Sequence, residues 1–165
     1  MSGATRTVCD VNFVRRSVGK MRTDIWTICD LGHVHWGTAG AAGFLLRYVP
    51  EKGDPTFLLQ RRSSSVDYSG TWGIPGGAIG EGESPEAAAR RETLEEIGYL
   101  PHYRVAETKI QHCGGNWKFY MIIADVDEPF NALCGRETEA TGWFTTVDMQ
   151  YLTLHPGLQN WLNGQ

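Results

Sequence analysis

Apolar and polar residues alternate and break along this chain in a way that marks out its elements. Residues 23–29 read as a short strand. Residues 33–48 form a longer extended stretch, with Ala-Gly pairs that allow close packing and an apolar end at Phe44-Leu45-Leu46. A turn rich in Pro, Gly and charge at 49–55 leads to a second strand at 56–61, and the two make a hairpin. Residues 63–73 are polar, with Ser-Ser-Ser and Ser-Gly as loop marks. A helix follows, with Ser84 as N-cap and Pro85 as its first residue. Ala87, Ala88 and Ala89 favour it, and Gly98 suits a left-handed C-cap. Ala87, Leu94 and Ile97 are placed on its core side, leaving the glutamates on the other. Strands are predicted at Tyr103–Cys113 and Trp117–Val126, joined around Gly114-Gly115-Asn116. After a polar loop at 125–136 come a short strand at 141–145, a terminal helix at 147–152 ending near His155-Pro156, and a second helical stretch at 157–162. Helices set among strands predict an α/β fold, a mixed sheet covered on both faces.

Bulk properties narrow the class. The chain has 165 residues, 41% hydrophobic and 21% charged, which suits one domain with a substantial core. No apolar run approaches 18 residues, so no membrane span is expected. The first residues lack the apolar core of a secretory signal. Cys9, Cys29, Cys113 and Cys134 are scattered without a CxxC spacing, so a reduced, cytoplasmic setting is expected. The formal net charge is −4 but unevenly spread. Residues 1–22 carry Arg6, Arg15, Arg16, Lys20 and Arg22 against Asp10 alone, and are read as a basic, solvated and flexible segment before one domain at 23–165. The acidic remainder argues against a general nucleic-acid surface.

The sharpest signal lies between Gly77 and Tyr99. Helical spacing puts Glu92, Glu95 and Glu96 close together, and carboxylates so crowded repel unless a cation sits among them. Hard oxygen donors at that density suit Mg²⁺, with Mn²⁺ as a substitute, far better than Zn²⁺. The order Gly77, Glu83, Arg91-Glu92, Glu95-Glu96, Gly98 resembles the box of the Nudix hydrolase family, whose members include the MutT-like enzymes. Every fixed position of that pattern is present; Thr93 and Tyr99 depart from it, standing where aliphatic residues are usual. Trp72-Gly73-Ile74-Pro75-Gly76 and Gly142-Trp143-Phe144 extend the resemblance over most of the chain from about Ile25 onward.

The resemblance implies the Nudix fold, an α/β/α sandwich with a mixed sheet. It also implies a Mg²⁺-dependent hydrolase that splits the phosphoanhydride linkage of a nucleoside di- or triphosphate derivative by attack of water. Glu95 and Glu96 are the implied metal ligands, with the Gly76 carbonyl. Glu92 is a further ligand, a holder of water or a base. Arg91 orients Glu92 or Glu83, and Glu83 ligates through water or ties the loop to Arg91. Outside the box, Glu139 ahead of Glu137 is the candidate general base or second-ion ligand. A homodimer is the expected assembly, and no nucleic acid or membrane partner is expected. The ADP-ribose branch often has a proline about sixteen residues beyond the box; Cys113-Gly114-Gly115-Asn116 stands there instead.

Substrate contacts rest on residue chemistry alone. A planar group could stack on Trp36 or Trp72, with Trp117, Phe119 and Tyr120 as further aromatics, and Arg62 or Arg61 could meet a phosphate. Cys29, His33 and His35 suggest Zn²⁺, but no fourth ligand has a sensible spacing, so zinc is not expected. The alternative to an enzyme is a ligand-sensing or protein-binding module that keeps the fold without turnover. An isomerase of diphosphate compounds on a related scaffold would need an extra acid–base set and usually more chain.

Overall fold

The computed structural model describes residues 6–8, 23 and 25–164. Among them run, in order, β1 (Arg6–Val8), β2 (Trp26–Ile28), β3 (Val34–Trp36), β4 (Ala41–Tyr48), β5 (Thr56–Arg62), β6 (Trp72–Gly73), β7 (Gly76–Ala78), α1 (Pro85–Ile97), β8 (Tyr103–Cys113), β9 (Trp117–Val126), β10 (Thr138–Phe144), α2 (Thr146–Met149) and α3 (Pro156–Leu162). The main sheet has the order β1-β10-β5-β4-β9-β8, with β6 added to β5 and β7 to β4. β4 and β9 are parallel, and the other pairs are antiparallel. β2 and β3 form a separate two-stranded hairpin. Most of the basic stretch 1–22 lies outside the described residues, but Arg6–Val8 pairs along β10 as an edge strand.

The side-chain alternation of the central strands feeds two cores. Phe44 and Leu46 of β4, Leu58 of β5 and Ile122 and Ala124 of β9 pack on one face with Ala88, Ala89 and Ile97 of α1. Their neighbours Leu45, Phe57, Leu59, Met121 and Ile123 pack on the other face with Met149, Leu158 and Trp161. A run with no polar alternation, as in Phe44-Leu45-Leu46, is what a strand covered on both sides requires. The mixed sheet between helices is therefore the α/β sandwich expected.

Several expectations change. The single extended stretch at 33–48 is two strands, because Gly37 and Gly40 take φ of +92° and +95° and turn the chain between them. A β-carbon at Gly40 would also lie 2.6 Å from the Lys118 carbonyl oxygen. The end of the polar loop 63–73 is strand β6, which pairs with Gln60 and Arg61. The strand expected at 141–145 begins earlier, at Thr138, and the helix expected at 147–152 is the single turn α2. Cys134 is disulfide-bonded, so the expectation of reduced thiols fails there, whereas Cys29 and Cys113 are free thiols. Among the described residues, no helix is long and apolar enough to cross a membrane.

Helix α1 forms as its caps predict. Ser84 accepts a bond from the Ala87 N–H at 3.2 Å, Pro85 opens the first turn, and Gly98 closes the last with φ of +71°. The backbone N–H groups of Leu133 and Gly135 then take the Ile97 and Glu96 carbonyls at 2.9 and 2.6 Å, satisfying groups that a helix end leaves open. The buried face, however, is Ala88, Ala89, Thr93, Glu96 and Ile97. Ala87 is exposed and Leu94 half-buried, so the helix is rotated from the expected orientation and Glu96 is turned toward the sheet.

Thr93, where the family pattern has an aliphatic residue, is fully buried, and its hydroxyl finds no hydrogen-bond partner among the described residues. A buried hydroxyl without a partner costs roughly 1–3 kcal/mol. The isosteric Thr93→Val change should therefore stabilise the fold by about 1 kcal/mol, raising the thermal midpoint by roughly 2–4 °C for a chain of this size. Circular dichroism melting checks this, and an unchanged or lower midpoint would refute it.

Candidate active site

Two glycines let a strand and a helix close on each other. β7 pairs with β4 so that Gly76 lies opposite Gly43 and Gly77 opposite Ala42. A β-carbon at Gly76 would lie 2.5 Å from the Ala42 carbonyl oxygen and the Gly43 Cα, and one at Gly77 would lie 2.6–2.8 Å from the carboxylate of Glu92. Any other residue at these positions would push β7 off β4 or Glu92 out of the cleft.

Glu96 lies beneath α1, 5% exposed. Its Oε2 accepts bonds from the Gly76 N–H and from Gln60 Nε2, both at 2.8 Å. Gln60, itself buried, accepts a 2.6 Å bond from Thr138 Oγ1. One network thus ties α1 to β7, β5 and β10. Burial and then the nearby charge of Glu92 push the Glu96 carboxyl up to about 8, against the opposing pull of the Gly76 and Gln60 donors. Glu137 adds to the upward push.

Arg91 organises the other carboxylates. It grips Glu83 with Nε at 3.1 Å and Nη2 at 2.9 Å, a two-pronged pairing suited to a planar guanidinium. The same side chain donates to Glu92 Oε1 at 2.5 Å and to the Ala78 carbonyl at 2.9 Å. Glu83 also accepts from the Gly80 N–H at 2.8 Å. Its carboxyl is held below the usual range chiefly by Arg91, while Arg91 itself is held more firmly protonated by Glu83 and Glu92. Glu95 is 4.0 Å from Arg91 at the half-exposed rim.

The other candidate residues are dispersed. Glu139 is exposed and pairs with Arg61 at 3.4 Å, whereas Glu137 acts on the charge of Glu96. Arg62 donates to the Asp67 carbonyl at 2.7 Å. Trp36 is half-buried on the outlying hairpin, edge-on to Trp26. Trp72 is 6% exposed and packs edge-on against Phe144, so a core role replaces the stacking role expected of it. Phe119 and Tyr120 pack at the margins of the two cores, and Trp117 stacks on His35. Gln60 and Thr138 were not anticipated. The one available signal was a lone amide inside the apolar strand Thr56–Arg62; Thr138 carries none.

The donor set fits a hard divalent cation. The charge of Glu92 raises the cost of ionising Glu96, the Gly77 cradle leaves room beside Glu92 that a side chain would fill, and Glu95 lies within 4.0 Å of the Arg91 that holds Glu92. In EDTA-treated protein Glu96 should keep its proton to about pH 8, while the unfolded chain releases it near 4.5. Between those values the folded state binds more protons, so this contribution is complete at the acidic end and fades as pH rises. Urea midpoints measured from pH 5 to 8 should fall for the parent protein relative to Glu96→Gln. Parallel curves would refute the assignment.

Comparison with known proteins agrees with this geometry. The NUDIX domain description matches residues 38–164. The chain is 36% identical over 140 residues, 81% of its own length, to a Mycobacterium tuberculosis protein named putative 8-oxo-dGTP diphosphatase 3, and it spans 64% of that relative. An RNA pyrophosphohydrolase of Helicobacter pylori matches over 44% of the chain at 35% identity and 43% of its own length. Among solved structures, the Nudix hydrolase RenU of M. smegmatis superposes with a TM-score of 0.77 at 34% identity, covering 85% of this chain and 91% of that one. With every fixed position of the box present and the matching region taking in β4 to β10 and all three helices, the chain belongs to the Nudix family.

Proposed function

We propose that the chain is a Mg²⁺-dependent pyrophosphohydrolase, with Mn²⁺ as a substitute, that splits a nucleoside triphosphate or related derivative into a monophosphate and pyrophosphate. The observation that carries this reading is Glu96 bonded to Gly76 and Glu92 set against Gly77, with Arg91 bracing Glu92 and lying 4.0 Å from Glu95. The relative named for 8-oxo-dGTP, similar over most of the chain, supports a triphosphate substrate class. A homodimer belongs to the same reading.

Glu92, Glu95 and Glu96 would hold the ion, together with the Gly76 carbonyl. When bound, the ion offsets phosphate charge and makes water a better nucleophile. The residues of the chain prepare that position. Gly76 and Gln60 occupy Glu96 Oε2, so Oε1 is the oxygen that would carry the proton or meet a cation. Arg91 holds Glu92 by Oε1 and sets the angle of its carboxylate. Glu137 becomes the first candidate to accept the proton of the attacking water, because its charge reaches Glu96 while Glu139 is engaged by Arg61. Arg61, beside Gly70, Tyr151 and Thr153 at a surface cleft, is a candidate contact for an anionic part of the substrate.

Nucleoside triphosphates including 8-oxo-dGTP, sugar nucleotides and dinucleoside polyphosphates should be scored for phosphate release with and without added phosphatase. Turnover dependent on Mg²⁺ is expected on at least one triphosphate, with pyrophosphate as product. Glu96→Gln should lower kcat by about 100-fold or more while the fold persists. Arg91→Lys keeps the charge but not the fork and should raise the half-saturating Mg²⁺ concentration by about 10–100-fold. No turnover on any compound would favour the ligand-sensing module instead.

A further inference from the structure

Where the β2–β3 hairpin meets the turn after β8, four soft ligand residues come together. Cys29 follows β2, His33 and His35 come from the turn and strand after it, and Cys113 ends β8. Each offers a donor atom within 4.8 Å of the others. The two sulfurs are 3.6 Å apart, far longer than a disulfide, and His33 Nδ1 is 3.0 Å from Cys113 Sγ. Tetrahedral bonds of zinc to sulfur and nitrogen place neighbouring ligand atoms roughly 3.3–3.8 Å apart. The sulfur–sulfur spacing already lies in that range, and the remaining donor atoms, all within 4.8 Å of one another, reach it with shifts of up to about 1 Å.

The surroundings are built to hold these ligands. The His35 ring lies flat on Trp117, with centroids 3.9 Å apart at 12°, and Trp117 donates to the Gly37 carbonyl at 2.9 Å. A buried ring nitrogen, His35 Nε2, finds no hydrogen-bond partner among the described residues. The turn at 30–32 presses on the turn after β8: a β-carbon at Gly114 would lie 3.0 Å from the Leu31 nitrogen, and one at Gly115 2.9 Å from Asp30 Oδ2. His33 is exposed, which leaves a path for an ion to enter.

The hairpin itself needs a fastening. β2 and β3 have three residues each and join no other strand of the described structure. Ile25, Trp26, Ile28, Leu31 and Val34 are about half to two-thirds exposed, so little apolar burial holds the hairpin down. An isolated two-stranded hairpin is marginal at best in water, and a structural metal is a common remedy where a core is too small.

We propose that Cys29, His33, His35 and Cys113 form a tetrahedral structural zinc site that staples the β2–β3 hairpin to the β8–β9 turn. Binding releases the two thiol protons to solvent and moves no electrons. The site is independent of the acidic cluster in chemistry and in the metal it takes: two thiolates and two imidazoles select zinc, whereas the carboxylates select magnesium.

The test is metal analysis of the full chain purified under reducing conditions, exposed to Zn²⁺ and then freed of loose metal by gel filtration. One zinc per chain is expected by plasma mass spectrometry, with Cys29 and Cys113 shielded from alkylation. Replacement by Co²⁺ should give the visible spectrum of a tetrahedral, thiolate-ligated ion, a measurement on the unaltered chain that needs no variant. Cys113→Ser should lose the stoichiometric zinc, and the Cys29→Ser/Cys113→Ser pair should lose it together with the thiolate band. A parent chain that retains no zinc, a double variant that retains all of it, or a Cys29–Cys113 disulfide in protein isolated under reducing conditions would overturn the proposal. None of these readouts depends on nucleotide hydrolysis.

Discussion

A carboxyl group buried between a helix and a sheet must be neutralised, by a proton or by a cation, and the rest of the site is arranged around that demand at Glu96. The group is reached only because β7 runs as bare glycine backbone against β4, so that a main-chain N–H can approach it. Gln60 and Thr138 extend the contact across two further strands. The helix bearing the acidic cluster is thus keyed to the sheet by a polar chain laid through an otherwise apolar interface. Such a chain is stable only when every member is paired, and here each link has its partner at 2.6–2.8 Å.

Charge completes the arrangement. Arg91 is shared between Glu83 and Glu92, and it reaches Glu95 only at 4.0 Å. One guanidinium cannot balance Glu83, Glu92, Glu95 and Glu96 together. The imbalance falls on the buried member, Glu96, which is forced toward its protonated form. A divalent ion is the partner that would relieve this without disturbing the Arg91 clamp. Arg91 fixes the loop between Ala78 and Glu83 to the helix and sets the angle of the Glu92 carboxylate.

The two clusters solve one problem with opposite chemistry. Around Glu96, hard oxygen atoms are gathered on a rigid helix whose packing is already provided by the core. Around Cys113, soft sulfur and nitrogen atoms are gathered where packing is thin and the chain is held by short turns. In the first place the fold supports the carboxylates; in the second the side chains are placed to support the fold. The hairpin leads straight into Gly37 and Gly40, whose conformations start β4, and an added carbon at Gly37 would meet Ala78 of the box strand at 2.8 Å. Holding the hairpin in place therefore bears on the strand that carries the site.

The sequence by itself determined the parts whose physics is local. Ser84, Pro85 and Gly98 delimit α1 because capping depends on residues a few positions away. The paired strands Tyr103–Cys113 and Trp117–Val126 are legible because a glycine turn separates two extended runs. The acidic box follows from spacing along one helix. Only the tertiary structure decided which face of that helix is buried, since Ala87, Ala88 and Ala89 are equivalent by type and the inward face carries the polar Thr93 and Glu96. It alone joined Gln60 to Glu96, sent Trp72 into the core and brought Cys113 to Cys29, His33 and His35. Those meetings join positions dozens of residues apart, and the sheet order that produces them comes from the burial of whole strands, which no short stretch of sequence encodes.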